Sequence, residues 1–244
     1  MDNDVMITRL EMLRLHGMAE AARDMLLLPV QMRPGLETVL SRLIESEVRH
    51  RDDCRTTRLL KAAKLFCKPF IEDVACGTAR NLTKETLEAI ADCGFIRRGE
   101  NLVITAKTGC GKTFLACAIG HQACMLGLRT LYLSMNHFVH TLKSANLQGT
   151  TEQLLQKLNK NDLIILDDFG LHPIDENTRL TLLTLLEDRY ERKSVIINSQ
   201  LAFEKWYDYI GQNTLADAIL DRISHTSHHI HLEGVSMRKN RRKL

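Results

Sequence analysis

The fold of this chain is decided by the stretch Ala106-Lys107-Thr108-Gly109-Cys110-Gly111-Lys112-Thr113. It follows the apolar run NLVIT (101–105) and precedes a helix-compatible segment, 113–126. The two glycines let the backbone curl so that its N–H groups face inward, and the start of a helix adds a partial positive charge. The stretch therefore predicts a phosphate-binding loop between a strand and a helix.

Each residue type in this loop has a separate expected task. Lys112 is expected to reach the β- and γ-phosphates of a nucleoside triphosphate, and the Thr113 hydroxyl to bind Mg²⁺. Ala106 stands where the usual pattern has its first glycine, and Cys110 is expected to contribute its backbone N–H rather than thiol chemistry. The whole predicted nucleotide-binding set is Ala106, Lys107, Thr108, Gly109, Cys110, Gly111, Lys112, Thr113 and Phe114.

Carboxylates and polar groups end two further apolar runs. Asp167 and Asp168 follow LIIL, and we expect Asp167 to hold the Mg²⁺ shell and Asp168 to orient or deprotonate an attacking water. The alternative for Asp168 is a capping role in the following loop. The run VII (195–197) ends in Asn198, Ser199 and Gln200, and Ser199 is favoured over Asn198 as the group that contacts the γ-phosphate or the water.

The order of apolar runs and helical segments predicts an α/β fold. Strand-like runs at 101–105, 129–134, 162–167, 193–199 and 228–232 alternate with helix-compatible segments at 113–126, 136–158, 175–191 and 202–223. This alternation favours a parallel sheet covered by helices on both faces. We predict an α/β domain over 70–244, preceded by a small helical domain over 1–69.

The first 66 residues show helical spacing throughout. A first helix is expected to be interrupted by Gly17, and a second to occupy 19–28 before Pro29. A third is expected to begin after Gly35 and to continue toward Phe66, with Phe66 on its apolar side.

Composition excludes several classes of protein. Hydrophobic residues make up 44% and charged residues 26% of the 244 residues, a balance typical of a folded globular chain. No run of about 18 apolar residues is present, so we expect no membrane span. The acidic start argues against a secretory signal, and seven cysteines without a CxxC pair favour reduced thiols in the cytoplasm. Four histidines between 225 and 231 are expected to form a strand edge rather than a zinc site.

Basic residues are concentrated in two places. Five of the last seven residues are basic, and five more bases lie between residues 55 and 68 with no acid among them: Arg55, Arg58, Lys61, Lys64 and Lys68. Such clusters suit contact with a phosphate backbone. A solvated helix face and a basic tail without a ligand remain the alternative.

Four segments carry a resemblance to a known family: DLIILDDFGLHPI (162–174), LLEDRYERKSVIINSQ (185–200), KWYDYIGQNTLADAILDRISH (205–225) and LEGVSMR (232–238). Over roughly residues 5–240 the chain resembles the IstB-like transposition helper ATPases, relatives of DnaC-type helicase loaders in the AAA+ superfamily. The resemblance implies ATP binding and hydrolysis and self-assembly into a ring or helical filament. It also implies binding to double-stranded DNA beside a cognate transposase.

The resemblance also implies roles for two arginines. Arg222 is expected to act in trans on the γ-phosphate of a neighbouring copy, and its alternative is an ion pair with Asp217 or Asp221. Arg238 resembles the sensor-2 arginine, which contacts ATP in cis. Arg189 is a further candidate, with an ion pair to a neighbouring glutamate as the favoured alternative.

Two departures from the AAA+ pattern modify the expectation. Asp168 replaces the glutamate of most AAA+ proteins, which suggests slow hydrolysis, and the short stretch after Arg222 implies a truncated or absent helical lid. A DnaC-like helicase loader would share every ATP-site residue. A small-molecule kinase and a scaffold that binds ATP without hydrolysis are the remaining alternatives.

Overall fold

The computed structural model describes residues 3–237. Arg238 and the basic tail therefore lie outside the described residues. The chain divides after Arg58 into two compact units, whereas the sequence pattern places a boundary after residue 69. Within residues 3–237, no helix is long and apolar enough to cross a membrane.

The first unit is built from helices: α1 (Asn3–Met12), α2 (His16–Leu27) and most of α3 (Leu36–Ala63). The prediction that Gly17 interrupts the first helix is wrong, because the break lies at Arg14, where φ is 60°. Gly17 lies inside α2, and a Cβ there would be 2.4 Å from the Ser46 carbonyl oxygen. The close approach of α2 to α3 therefore requires glycine. Glu47 accepts the Gly17 and Met18 N–H groups at the start of α2.

The end of α3 differs from the expectation. The helix ends at Ala63, and Lys64 adopts a φ of 52°, which turns the chain. As a result Leu65 is buried and Phe66 is 75% exposed, so the placement of Phe66 on the apolar side was wrong. All five bases between residues 55 and 68 are exposed.

The second unit contains a five-stranded sheet. Its strands are β1 (Asn101–Ala106), β2 (Thr130–Ser134), β3 (Leu163–Phe169), β4 (Ser194–Ser199) and β5 (Ser227–Leu232). Their order is β2-β3-β4-β1-β5, and every neighbouring pair is parallel. The predicted parallel sheet is confirmed. Since all strands run the same way, their carboxyl ends meet at one edge.

Eight helices surround this sheet in the described part of the chain: α4 (Lys84–Ala91), α5 (Gly94–Arg97), α6 (Lys112–Met125), α7 (Met135–Leu147), α8 (Thr151–Asn159), α9 (Glu176–Arg189), α10 (Trp206–Ile210) and α11 (Asn213–Ser224). Two of the predicted helical segments, 136–158 and 202–223, are each divided by a glycine with positive φ. The chain turns at Gly149 between α7 and α8, and at Gly211 between α10 and α11.

Alternate residues of each strand enter different cores. Leu102 and Ile104 of β1 pack with α6 on one face of the sheet. Val103, between them, belongs to the core on the other face, with residues of α9 and α11. Because both faces are covered, the central strands β1, β3 and β4 are apolar in their interiors and carry polar groups at their ends, which places the polar chemistry at the carboxyl edge.

Candidate nucleotide-binding site

The predicted phosphate-binding loop connects β1 to α6 as expected. Gly109 and Gly111 have φ values of 88° and 89°, a region that favours glycine. α6 begins at Lys112, which is 6% exposed, and the Leu115 N–H group bonds the Gly111 carbonyl to form the first turn. The loop therefore places backbone N–H groups and a lysine at a helix N-terminus, an arrangement suited to phosphate.

One wall of the loop comes from the segment after β5, residues 233–237, which we call the C-terminal segment. The Met237 N–H group donates to the Gly109 carbonyl at 3.0 Å, and the Cys110 thiol donates to the Gly234 carbonyl at 3.3 Å. A Cβ on Gly109 would lie 2.2 Å from the Ser236 hydroxyl oxygen. The loop is thus packed against this segment, and Gly109 leaves no space for a side chain.

Arg80 joins the same assembly from the chain before β1. Its guanidinium donates to the Cys110 carbonyl at 2.9 Å, and its own carbonyl accepts the Glu233 N–H group at 3.0 Å. Arg80 therefore links the loop and the C-terminal segment. Sequence reasoning missed it, because a lone arginine in a short 3-10 turn (Thr78–Arg80) has no distinguishing pattern.

Asp167 lies at the carboxyl end of β3 and is 1% exposed. Its Oδ2 atom accepts the Thr113 hydroxyl at 2.8 Å, so the structure brings together the two residues predicted to bind the metal. The same oxygen accepts the Tyr132 hydroxyl at 2.7 Å. Its Oδ1 atom accepts the Asn198 amide and the Asp168 N–H group, each at 3.0 Å. Four donors therefore surround one buried carboxylate.

These residues fit Mg²⁺ bound together with a nucleotide. The hydroxyl of Thr113 and the carboxylate of Asp167 are hard oxygen ligands, which Mg²⁺ prefers, and Mg²⁺ commonly takes its other ligands from phosphates and water. Asn198 Oδ1 is buried and has no hydrogen-bond partner, so a polar group is left to be satisfied here. Among residues 3–237, no group of three or more His, Cys, Asp and Glu side chains is arranged to hold a metal by itself.

Asp168 follows at an irregular point of β3. Its φ of 61° is unusual for a residue with a side chain, and the pairing of β3 with β4 shifts register between Leu166 and Phe169. A bulge of this kind redirects a side chain at the end of a strand. Backbone strain of this kind is compatible with both predicted roles of Asp168, the catalytic one and the capping one.

The polar end of β4 differs from the preferred assignment. The Ser199 hydroxyl is fully buried, donates to the Phe169 carbonyl at 2.7 Å and accepts the Leu201 N–H group at 3.0 Å. It therefore supports the backbone next to the site. Asn198 contacts Asp167, and Gln200, the residue after Ser199, accepts the Thr108 hydroxyl of the phosphate-binding loop at 2.6 Å. Gln200 belongs to the polar ending that the sequence indicated, but it was assigned no role because two other polar residues precede it.

The family of this chain follows from comparison with known proteins. The family model described as IstB-like ATP binding protein matches residues 8–244. The chain belongs to the IstB-like family. The IstB-like chain is similar to an insertion sequence ATP-binding protein of Sinorhizobium fredii, with 37% identity over 237 residues, 97% of each chain. It is also similar to the IS1162 ATP-binding protein of Pseudomonas fluorescens, with 39% identity over 196 residues, 80% of this chain and 85% of the relative.

Solved structures show the same fold at lower identity. The DnaI structure shares 19% identity with the IstB-like chain, covers 73% of it and 92% of DnaI, and gives a TM-score of 0.58. AMPPCP-bound DnaA from Aquifex aeolicus shares 22% identity, covers 70% of this chain and 51% of DnaA, and gives the same TM-score of 0.58. The predicted α/β fold, with helices around a parallel sheet, and the predicted IstB-like family are therefore both confirmed.

Arg222 of the IstB-like chain lies in the last turn of α11. Its guanidinium carbon is 4.8 Å from the centroid of the Tyr190 ring, and its Nη1 atom is 2.8 Å from Asp221. The side chain is 34% exposed. An aromatic face and a carboxylate thus fix the direction of a partly exposed arginine. The ion pair with Asp221 is present and is compatible with either predicted role.

Arg189 has a structural role. It is 1% exposed and donates to the carbonyls of Asn161, Asp162 and Ser194. Burial lowers its pKa to about 10. Arg189 therefore joins the starts of β3 and β4, in place of the glutamate ion pair that the sequence favoured.

The histidines of β5 pair with neighbouring polar groups. His228 contacts Glu100 at 2.8 Å, His231 contacts the Thr105 hydroxyl at 2.9 Å, and His229 contacts the Ser227 hydroxyl at 2.7 Å. These contacts give the three histidines of β5 separate structural partners along the strand.

Proposed function

We propose that this IstB-like chain binds and hydrolyses ATP in an assembly of copies of itself, and that this assembly assists a transposase on double-stranded DNA. The observation that carries the proposal is the bond between Thr113 and Asp167 beside a glycine loop that opens a helix. The family description and the insertion-sequence relatives support ATP and transposition as the context.

The proposed chemistry assigns each group a separate task. The loop N–H groups and Lys112 hold the phosphates, while Thr113 and Asp167 hold Mg²⁺, which neutralises phosphate charge when it is bound. Asp168 orients the attacking water and accepts its proton. Because its carboxylate is shorter than the usual glutamate, we expect slow turnover. Gln200 contacts the loop directly and takes the γ-phosphate-sensing task first assigned to Ser199, which keeps a supporting role.

Arg222 is proposed to complete the site of a neighbouring copy. A cation that touches a γ-phosphate across an interface strengthens that interface only when ATP is present, so ATP favours assembly. The contacts with Tyr190 and Asp221 hold the arginine in one direction before the neighbour arrives. Assembly and hydrolysis are thereby linked through a single side chain.

Duplex DNA is proposed to bind along the exposed bases Arg55, Arg58, Lys61, Lys64 and Lys68. Contacts of lysine and arginine with phosphates are largely independent of sequence and weaken as salt rises. In this proposal residues 1–69 contact DNA or the transposase, and residues 70–244 form the ATPase domain. The sensor-2 role of Arg238 and the cytoplasmic location belong to the same proposal.

Two experiments test the ATPase proposal. Lys112→Ala is expected to abolish binding of a fluorescent ATP analogue, and wild-type affinity in this variant would show that the loop is not the nucleotide site. Arg222→Ala and Asp168→Asn are each expected to bind ATP without hydrolysing it. Mixing these two variants should restore part of the activity if Arg222 acts in trans, and no recovery would assign it a role within its own subunit.

A DnaC-like helicase loader is the second candidate. The match to the crystal structure of the DnaC helicase loader spans 72% of the IstB-like chain and 99% of the DnaC chain, with a TM-score of 0.53 and 19% identity. This likeness concerns the fold, whereas the insertion-sequence relatives are much more similar in sequence. Affinity capture with the purified chain distinguishes the two candidates, since the first requires a transposase as partner and the second a hexameric helicase.

A further inference from the structure

Tyr132 is an unassigned residue of the proposed metal site. It lies on β2, the strand beside β3, and its hydroxyl donates to Asp167 Oδ2 at 2.7 Å. This is the oxygen that also accepts the Thr113 hydroxyl. Tyr132 therefore contacts the carboxylate on the side where the loop threonine meets it.

The number of donors shows why this contact matters. An ionised carboxylate has about four acceptor positions, and four donors fill those of Asp167, so Mg²⁺ would bind this carboxylate in place of one donor, the Thr113 hydroxyl, while the other three keep it oriented. Two of the other donors are the neighbouring backbone N–H group and the Thr113 hydroxyl, and the third is Asn198. Rotation of the carboxylate would break several of these bonds together, so its orientation is fixed before a ligand arrives.

We propose that Tyr132 is a positioning residue that holds the Asp167 carboxylate in the orientation in which it binds Mg²⁺ together with ATP. This inference rests on the proposed function. A tyrosine hydroxyl keeps its proton at neutral pH, so Tyr132 acts as the donor in this bond. Partners behind a metal ligand commonly change metal affinity by about 10–100-fold.

The variant Tyr132→Phe isolates the hydroxyl. The ring packs against the core beside α6 and lies 6.4 Å from the Phe66 ring, and phenylalanine keeps both contacts. Tyr209→Phe is a matched control, because the Tyr209 hydroxyl makes an equally short bond of 2.7 Å to the His172 carbonyl instead of to Asp167. Both variants thus lose one tyrosine hydrogen bond in the same unit.

The measurement uses the full chain with AMPPCP, which is not hydrolysed, and Mn²⁺ as a paramagnetic substitute for Mg²⁺. Electron paramagnetic resonance of free Mn²⁺ gives the metal affinity, and fluorescence competition in EDTA gives the metal-free nucleotide affinity. We expect Tyr132→Phe to weaken Mn²⁺ binding about tenfold while metal-free nucleotide affinity stays unchanged. Tyr209→Phe is expected to change neither affinity.

Two results would overturn the inference. Wild-type Mn²⁺ affinity in Tyr132→Phe would show that the hydroxyl does not position Asp167 for the metal. An equal loss of metal-free nucleotide affinity would show a general structural role instead. If the wild-type chain fails to bind AMPPCP at all, the proposed function fails and this inference fails with it, a result distinct from a variant that behaves like a nucleotide-binding wild type.

Discussion

Replacement of Asn198 by aspartate provides a quantitative test of the hydrogen bond between Asn198 and Asp167. Asn198 is fully buried, and its amide nitrogen lies 3.0 Å from Asp167 Oδ1. Aspartate has nearly the same shape and places a carboxylate oxygen where the amide donor was. The variant therefore exchanges a favourable bond for a contact between two like charges, with little change in packing.

The expected cost follows from this distance. Two unit charges 3.0 Å apart repel each other by about 5 kcal/mol at an effective dielectric constant of about 20. The pair avoids most of this repulsion by sharing one proton, which raises the pKa of the variant pair in the folded state well above the ordinary carboxyl value. The unfolded carboxyl group has a pKa of about 3.9, so above that pH the folded state binds the extra proton. Stability then falls by about 1.4 kcal/mol per pH unit between pH 4 and the folded pKa.

Chemical unfolding followed by tryptophan fluorescence measures this effect. Trp206 is the only tryptophan, is fully buried and packs against Phe169, next to the site. Between pH 5 and pH 7.5, without metal, Asn198→Asp is expected to lose about 3 kcal/mol more of its unfolding free energy than Asn198→Ala. The alanine variant loses the same bond without adding a charge. Parallel pH dependence in the two variants would refute the assigned contact.

Three further predictions concern other parts of the chain. Neutralising Arg58, Lys61 and Lys64 together should reduce the slope of log affinity for duplex DNA against log salt concentration by about one unit per base lost. An unchanged slope would show that these three side chains form a solvated face and do not bind DNA. Gly17→Ala should lower the unfolding free energy of the first unit by about 1–3 kcal/mol, because its Cβ meets the Ser46 carbonyl at 2.4 Å; helical circular dichroism during denaturation measures this, and wild-type stability would contradict the close approach. The hydrogen bond and salt bridge with Arg98, and to a smaller extent the contact with His228, lower the pKa of Glu100 to about 2. The ionised carboxylate therefore stabilises the fold above about pH 4.5, and this contribution is lost as the pH falls toward 2. Glu100→Gln should therefore differ from wild type in stability at pH 7 and converge with it near pH 2, and a constant difference would show that the charge is not involved.

Local patterns in the sequence were sufficient for the sheet and the loop. The five strand-like runs became five strands, and the central ones are apolar because a parallel sheet covered on both faces buries both sides of each central strand. The glycines and lysine of the loop act on their immediate neighbours, so their spacing in the sequence was informative. Asp167 and Thr113 meet because both lie at the carboxyl edge, which the alternation of strands and helices already implied.

Contacts between distant segments were not predictable in the same way. Tyr132, Gln200 and Arg80 reach the site from β2, the end of β4 and the turn before α4, and each looks ordinary in its own segment. The preference for Ser199 over Asn198 also depended on side-chain direction, which follows from how β4 meets the bulge in β3. Local backbone events, such as the positive φ of Lys64, decided that Leu65 rather than Phe66 is buried.

The C-terminal segment has a practical consequence for work with shortened chains. Residues 233–237 are far from Gly109 in the sequence, yet they cover one side of the loop. A chain cut before Gly234 would keep every residue of the glycine-rich stretch and all five strands, but that side of the loop would be open to water. Such a deletion would weaken nucleotide retention with the motif intact, so trimming at this end and point substitution in the loop would give the same phenotype.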